Sequence, residues 1–573
     1  MNPSREIRAW PLSAAVFAVA LALRLAHVLA LRQSPYFEHP VLDAETYYWA
    51  SRALAAGEGW AEPVYWQPPG YPYFLAAILR IAGPGFLAPR LVQAGLGGLT
   101  AALTCAIGVR VFGRAVGLGA GLAVAAYGVL IYFDGELLAP SLAIGLQMAT
   151  LYCAVRAPAE RGGRGWLATG LLGGLTAVVN APALVLLPVL VLAARRRAGW
   201  LLLGAAIAIG PVTLRNWTVG GELVLISSNS GINLYLGNNP RYDATVGMRP
   251  GRDWQALVRA PRLHGVSGAG PASRFFVKRV TVYAGSDPVG FLALQARKLG
   301  LLVGGAEIPR NQELYPARRW SPVLRVLLWK APGLAFPFGI LLPLAAIGLG
   351  VAARRAPLLA ASVVTLGLTV AAFFVTARYR APLIPLLALF AGAGVRWAAV
   401  QASLRARAMA GALVVAVYLL ANVGQGPMPD RMNPDAEQGL AHWLEREGRR
   451  PEALALYRRL ARETPGSFDA WYGVAQLATV MGQRTEADAA RARLRAIEPE
   501  FPDTALLLAR AALHAGCGPE AVSFAGRAAV LDPGSELART LLREAQALQA
   551  TRPGGLPGGC PAWVFVAPLP SAS

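Results

Sequence analysis

Hydrophobic residues along this chain gather in blocks of roughly 18–25, the length at which an α-helix crosses a bilayer. The blocks predict spans near 11–31, 89–109, 115–133, 136–155, 165–179, 181–194, 199–214, 332–352, 357–376, 380–399 and 408–424, about eleven in all. Two short ones, 165–179 and 181–194, meet at Asn180-Ala181-Pro182, which reads as a tight reversal. The first block is long for a signal-peptide core and lacks a small-residue cleavage site, so it reads as a retained span. An odd number of spans starting from a cytoplasmic N-terminus places everything after 424 outside. Two long segments between spans, 32–88 and 215–331, face the same side. The first contains a shorter apolar piece, 71–82, and the second a polar stretch from Ser227 to Asn239 and amphipathic pieces such as 289–303. Loops of this length in a compact protein are more often functional than decorative.

After residue 430 the pattern turns soluble and repeats. Pro465, Pro499 and Pro533 stand 34 apart, as do Ala441, Ala475 and Ala509 and Gly448, Gly482 and Gly516. Glu452, Glu486 and Glu520 keep the same interval, and so do Ala453, Ala487 and Ala521. Small residues where two helices cross, Gly at the turn and Pro after the second helix form the tetratricopeptide signature. The expected domains are a membrane part over 1–430, a repeat solenoid with its capping helix over 434–548, and a disordered Gly/Pro-rich tail over 549–573.

Composition agrees: of 573 residues, 55% are hydrophobic and 15% charged, well below the charged share of a soluble domain. The net charge of +22 invites a nucleic-acid reading, but the placement of the charge removes it. Arg5, Arg8, Arg110, Arg114, Arg156, Arg161, Arg164, Arg195, Arg196, Arg197, Arg354, Arg355, Arg396, Arg405 and Arg407 all fall on one side of the predicted topology. The opposite loops near 134 and 180 carry no Lys or Arg, which is the positive-inside pattern. No nucleic-acid partner is expected; the partner is the bilayer. Cys105 and Cys153 sit in spans as small apolar residues, while Cys517 and Cys560 can pair if that end is extracytoplasmic. No His/Cys/Asp group has metal-ligand spacing and no Gly-rich phosphate loop occurs, so neither a metal nor a nucleotide cofactor is expected.

Candidate chemistry concentrates in the first outer loop. Asp43 and Glu45 follow the end of the first span by about a dozen residues, where an acid can take a proton from an attacking hydroxyl. The plainer reading is a solvated carboxylate or a helix N-cap. Pro68-Pro69-Gly70-Tyr71-Pro72 is a rigid turn that shapes the surface beside it, through Pro69, Gly70 and Tyr71. Asp134 and Glu136 mark the second outer loop. Arg378 and Arg380 stand against the positive-inside bias, with snorkelling to headgroups as the plainer account. Arg24 and His27 lie one turn apart near the outer end of the first span and are read as residues that can snorkel.

Asp43-Ala44-Glu45-Thr46-Tyr47, Leu54 to Gly59, Pro68 to Pro72 and Arg90-Leu91-Val92-Gln93 resemble the N-terminal half of the bacterial family-39 glycosyltransferases. That family is similar to the protein O-mannosyltransferases of the GT-C membrane fold. Gly170 to Leu187, Leu214-Arg215-Asn216, Ser227 to Pro240 and Arg378-Tyr379-Arg380-Ala381-Pro382 extend the resemblance, in order, over about 1–400. A GT-C core followed by tetratricopeptide repeats also resembles the TMTC-type mannosyltransferases. The fold class implied is all-α: a polytopic GT-C helix bundle followed by an α-solenoid.

The resemblance implies inverting transfer of a sugar from a polyprenyl-phosphate donor to an acceptor hydroxyl of a protein, lipid or glycan. Asp43 takes the position of the base, with Glu45 as the alternative because relatives often carry adjacent acids where Ala44 intervenes here. Asp134 or Glu136 becomes a second acid that orients the acceptor, a short polar turn being the other reading. Arg378 and Arg380 become the guanidinium forks that stabilise the leaving lipid phosphate, and Arg90 and Arg215 weaker candidates of the same kind. Ser227–Asn239 lines an acceptor groove or is simply a turn-rich loop. The expected location is the inner (plasma) membrane, multi-pass, with active site and repeats on the periplasmic side and the repeats holding a protein or glycan partner. The competing readings are a lipid-linked oligosaccharide ligase or polymerase, a scaffold acting through its repeats, and, third, a transporter.

Overall fold

The computed structural model describes residues 10–160, 162–311, 313–401, 403–553, 556 and 560. Arg5, Arg8, Arg161 and most of the 549–573 tail lie outside the described residues. Contacts divide the chain into two compact units, one of Met1–Val246 with Phe276–Arg431 and one of Gly247–Phe275 with Met432–Ser573. The loop 215–331 is thus shared: its middle groups with the C-terminal unit.

The first unit is a helical bundle. Among the described residues, six helices are long and apolar enough to cross a membrane: Trp10–Leu31, Leu87–Val111, Ala181–Gly220, Phe338–Arg355, Ala377–Val400 and Leu404–Asn422. A seventh arises if Arg114–Ala125 and Gly128–Gly135, bent by 50°, form one broken span. These make it a multi-pass membrane protein. The expected count of eleven is not reproduced by this measure, for two physical reasons. Helices 140–156, 164–179 and 357–372 have 17, 16 and 16 residues, about 24–26 Å at 1.5 Å per residue, short of a hydrocarbon core of about 30 Å. The expected spans 181–194 and 199–214 belong to one helical stretch of 40 residues. The span expected from 332 starts later because residues 329–336 form a small antiparallel hairpin, Trp329 opposite Phe336, turning at Pro332-Gly333 with Gly333 at φ +79°.

With hydrocarbon on the outside, apolar side chains gain little from burial against each other, and close backbone approach takes over as the packing device. Gly108 of helix 87–111 meets Gly117 of helix 114–125 so closely that a Cβ on Gly108 would lie 2.6 Å from the Gly117 Cα. Gly170, Gly174 and Gly204 do the same between helices 164–179 and 198–220.

Outside the candidate spans, the first loop folds into two helices, Asp43–Ala56 and Gly70–Ala82. The Asn/Gly/Ser stretch holds the short helix Ser230–Leu236, whose end is stitched by Asn238 and Asn239. The amphipathic 289–303 piece is the helix Pro288–Val303. It buries Lys298, whose ammonium donates to the carbonyls of Gly237, Ala372 and Phe373 and to Asn238 Oδ1. Burial lowers its pKa to about 8.

In the second unit, three helix pairs follow one another at the 34-residue interval: 434–446 with 450–463, 468–480 with 484–496, and 502–515 with 518–531. A seventh helix, Glu536–Thr551, closes the series. Gly448, Gly482 and Gly516 sit at φ +78°, +74° and +75° between the helices of each pair, a left-handed turn that costs glycine no steric clash. Ala441, Ala453, Ala487, Ala509 and Ala521 are buried where the helices cross, and Cys517 is bonded to Cys560.

Candidate active site

Asp43 is the first residue of its helix, and the residue before it is strained. Leu42 holds φ +60° and ψ −126°, a conformation that costs an L side chain of order 1–3 kcal/mol and recurs at functional sites. The helix aims the Asp43 carboxylate at two donors far along the chain. Arg378 Nη1 donates to Oδ2 at 2.5 Å, and Asn311 Nδ2 donates to Oδ1 at 2.8 Å. The carboxylate and the guanidinium keep side-chain exposures of 20% and 18%, so the pair is sheltered but reachable. Each carboxylate oxygen retains a lone pair after these two bonds. The ion pair also puts the start of helix 377–400 on the side where helix 10–31 ends.

One turn after Asp43, Tyr47 takes a second bond from Arg378, Nη2 to the hydroxyl at 3.3 Å. Burial raises the Tyr47 hydroxyl pKa, with Arg378 working in the opposite direction, so it stays a neutral acceptor and donor. The Tyr47 ring meets Tyr71 edge-on at 5.2 Å. Tyr71 donates to Gln93 Oε1 at 2.6 Å, and Gln93 Nε2 donates to the carbonyls of Asp134 and Glu136 at 3.1 and 2.5 Å. Pro69 immediately precedes helix 70–82, and a Cβ on Gly70 would fall 2.7 Å from Val179 Cγ2. Only glycine lets the turn close over the end of helix 164–179.

Glu45 lies two residues after Asp43, about 200° further round the helix, and is partly exposed. The two acids therefore face different ways. Asp134 is buried in an ion pair with Arg24, Nε to Oδ2 at 2.6 Å. Arg24 also donates to the carbonyls of Ala20 and Ala125, and His27 Nδ1 lies 2.8 Å from Ser321 Oγ. Both Arg24 and His27 are fully buried, so snorkelling does not describe them; partners on neighbouring helices replace the water they would otherwise seek. Glu136 takes a hydrogen bond from the Tyr132 hydroxyl.

The four expected phosphate-binding arginines divide. Arg378 is at Asp43. Arg380, two residues on, points into the bundle: Nη2 reaches Glu307 Oε2 at 2.7 Å and the Ala306 carbonyl at 2.9 Å, Nη1 reaches the Gly304 carbonyl, and the group lies 3.8 Å from the Phe338 ring centre. Arg90 is buried, donating to the carbonyls of Gly135, Phe37 and Phe86, and Arg215 donates to those of Pro63, Glu62 and Trp60. Arg380, Arg90 and Arg215 hold loops together.

Sequence reasoning missed Asn311 and its neighbour Arg310. The Arg310 guanidinium lies 4.4 Å from the Phe374 ring centre, and its Nη1 is shut off from solvent without a hydrogen-bond partner, as is Asn311 Oδ1. Burial lowers the Arg310 pKa, and Tyr379 and Asp43 oppose that shift. An arginine with an unused N–H beside an acid is an anion site in waiting. The one signal available was the position of Arg310 in the long segment 215–331.

These features define a class: a multi-pass membrane protein whose loops carry a sheltered carboxylate–guanidinium pair beside an under-used arginine. Residues 66–214 match the family model described as dolichyl-phosphate-mannose-protein mannosyltransferase. No curated protein matches the chain at a significant level. Among solved structures, the chain is similar to the archaeal oligosaccharyltransferase AglB from Archaeoglobus fulgidus, in complex with an inhibitory peptide and a dolichol-phosphate. Identity is 14% and the TM-score 0.39, over 75% of this chain and 58% of that one, so the chain spans little over half of its length. It is also similar to ArnT from Cupriavidus metallidurans bound to undecaprenyl phosphate, at 16% identity and TM-score 0.30, over 72% of this chain and 85% of that one. The apo state of ArnT gives 16% and 0.29, over 76% and 88%.

Proposed function

We propose that the protein is a GT-C-type glycosyltransferase that moves a sugar from a polyprenyl-phosphate donor to an acceptor hydroxyl, with inversion, on the extracytoplasmic face. The observation that carries the reading is the Asp43 carboxylate held by Arg378 and Asn311. The acceptor oxygen attacks the anomeric carbon, its proton passes to Asp43, and the bond from that carbon to the phosphate oxygen breaks to release polyprenyl phosphate. Asn311 and Arg378 fix the carboxylate so that its free lone pairs meet the incoming hydroxyl. Arg378 and the unused Nη1 of Arg310 stabilise the charge that develops on the phosphate. No step calls for a metal.

The match of residues 66–214 to the mannosyltransferase model supports the same chemistry. The C-terminal unit, read as tetratricopeptide repeats, works on the same side as the site. Its Cys517–Cys560 bond supports that placement, because disulfides persist in oxidising compartments.

The test is transfer of label from radiolabelled polyprenyl-phosphate sugars in membranes holding wild type or Asp43→Asn. Full activity in the variant refutes the base. No turnover by the wild type with any lipid-linked donor favours a scaffold acting through its repeats. A reporter fused after the last helix checks topology, and a cytoplasmic signal refutes the placement.

A further inference from the structure

Within the C-terminal unit, residues 247–275 form an insert that lies on the helix pairs. The amphipathic helix Arg252–Leu263 buries Ala256, Leu257 and Ala260 on one face, and Leu263 packs against the apolar cluster that includes Ala505, Leu506 and Ala509. Its polar contacts follow the repeat. Asp435, Asp469 and Asp503 stand 34 residues apart, each in the first turn of the first helix of its pair. Arg249 pairs with Asp435 at 4.0 Å. The Arg252 guanidinium lies 3.9 Å from the Phe468 ring centre, and Asp469 accepts a hydrogen bond from the Arg252 backbone N–H. That carboxylate caps the incoming helix at its positive end, where the insert has no capping side chain of its own. Gly251 leaves room for it, because a Cβ there would collide with Asp469 Oδ2. In the third pair Thr504 Oγ1 donates to Asp253 Oδ1 at 2.6 Å.

Three successive pairs thus use equivalent or adjacent positions to grip one helix, by charge, by capping and by apolar contact. Two of the three pairs use the same acidic position, Asp435 and Asp469, and the third reaches the insert from the next residue, Thr504. We propose that this face is a receptor for a segment that carries one arginine three residues ahead of its helix, a second at the first helical position and an Ala/Leu/Ala stripe beyond, and that residues 249–263 are its resident ligand, exchangeable for a free segment of the same chemistry. The site is independent of the transfer chemistry and stands whether or not that reading holds.

The experiment uses the full chain and a fluorescein-labelled peptide of residues 247–265. Arg249→Glu, Arg252→Glu and Leu257→Asp together release the resident helix and free the face. Fluorescence anisotropy is expected to show the labelled peptide binding this variant at least about tenfold more tightly than wild type. Adding Asp469→Lys is expected to remove about tenfold of that affinity, and a peptide carrying Arg252→Glu is expected not to bind. Equal affinity for variant and wild type, or an affinity indifferent to Asp469→Lys, overturns the proposal. If the triple variant does not fold, the wild type supplies the readout. Excess unlabelled peptide should then speed amide exchange across 253–263, and exchange unchanged at saturating peptide overturns the exchangeable site.

Discussion

Glu307 and Arg380 form an ion pair whose rupture should disturb both stability and the site. Their side chains are 2% and 1% exposed and meet at 2.7 Å. At an effective dielectric near 20 the bare attraction is about 6 kcal/mol, from which the cost of desolvating both groups must be subtracted. Two atoms, Glu307 Oε1 and Arg380 Nε, find no hydrogen-bond partner, so the compensation is incomplete. Removing one member leaves the other as an uncompensated buried charge, at a cost of about 3–5 kcal/mol; the incomplete pairing favours the lower figure. Removing both leaves no such charge. Glu307→Leu and Arg380→Met should each lower the apparent unfolding midpoint by roughly 5 °C, and the double variant by less than either. The assay is labelling of buried Cys105 by a thiol-reactive dye during a thermal ramp. The pair also joins the segment leading to Arg310 and Asn311 to the helix that carries Arg378, so each single variant should lose transfer activity at temperatures where it is folded. Single variants that melt with the wild type, or effects that simply add, refute this account.

Three further outcomes are expected. Asn311→Ala removes one hydrogen bond to a charged group, worth about 1.5–3 kcal/mol, and should slow transfer by roughly 10–100-fold with the fold intact by thermal ramp; an unchanged rate separates Asn311 from the site. Gly482→Ala places a side chain at φ +74° in a turn with open space around it, so the penalty is conformational, about 1–2 kcal/mol, read as a lower unfolding midpoint of the repeat unit. Burial raises Asp469 to about 6 from 3.8, opposed by Arg252 and reinforced by Asp253. Between those values the folded chain holds more protons than the unfolded one, so this group's contribution to stability falls as pH rises from about 4 to about 6. The midpoint difference between wild type and Asp469→Asn should fall across that window, and a difference independent of pH contradicts the assignment.

Much of the architecture was legible because it rests on local pattern. Apolar blocks mark the long helices, and the left-handed turn after the first helix of each pair accepts little but glycine, which makes the 34-residue period readable. The count of spans was less legible, since an apolar run of 16 residues reads alike whether it crosses or stops short. At the site, Asp43 was visible from its place after the first span. Its partners were not: Arg378 and Arg380 stand two apart in sequence yet face opposite ways, and only tertiary packing tells the Asp43 clamp from the Glu307 one. Arg90 and Arg215 carried the same charge signal as a phosphate ligand and proved to hold carbonyls. Asn311 came from a loop without periodicity. The amphipathic helix 252–263 was not singled out in the sequence, and an apolar stripe would not in any case name the surface that covers it.

The central claim is that Asp43 accepts the acceptor's proton, and the most direct measurement is the transfer rate at saturating polyprenyl-phosphate sugar for purified wild type against Asp43→Asn. General-base catalysis contributes about 10²–10⁴-fold. The account predicts a loss in that range, with donor binding retained and partial recovery in Asp43→Glu. A variant that transfers sugar at the wild-type rate would contradict it.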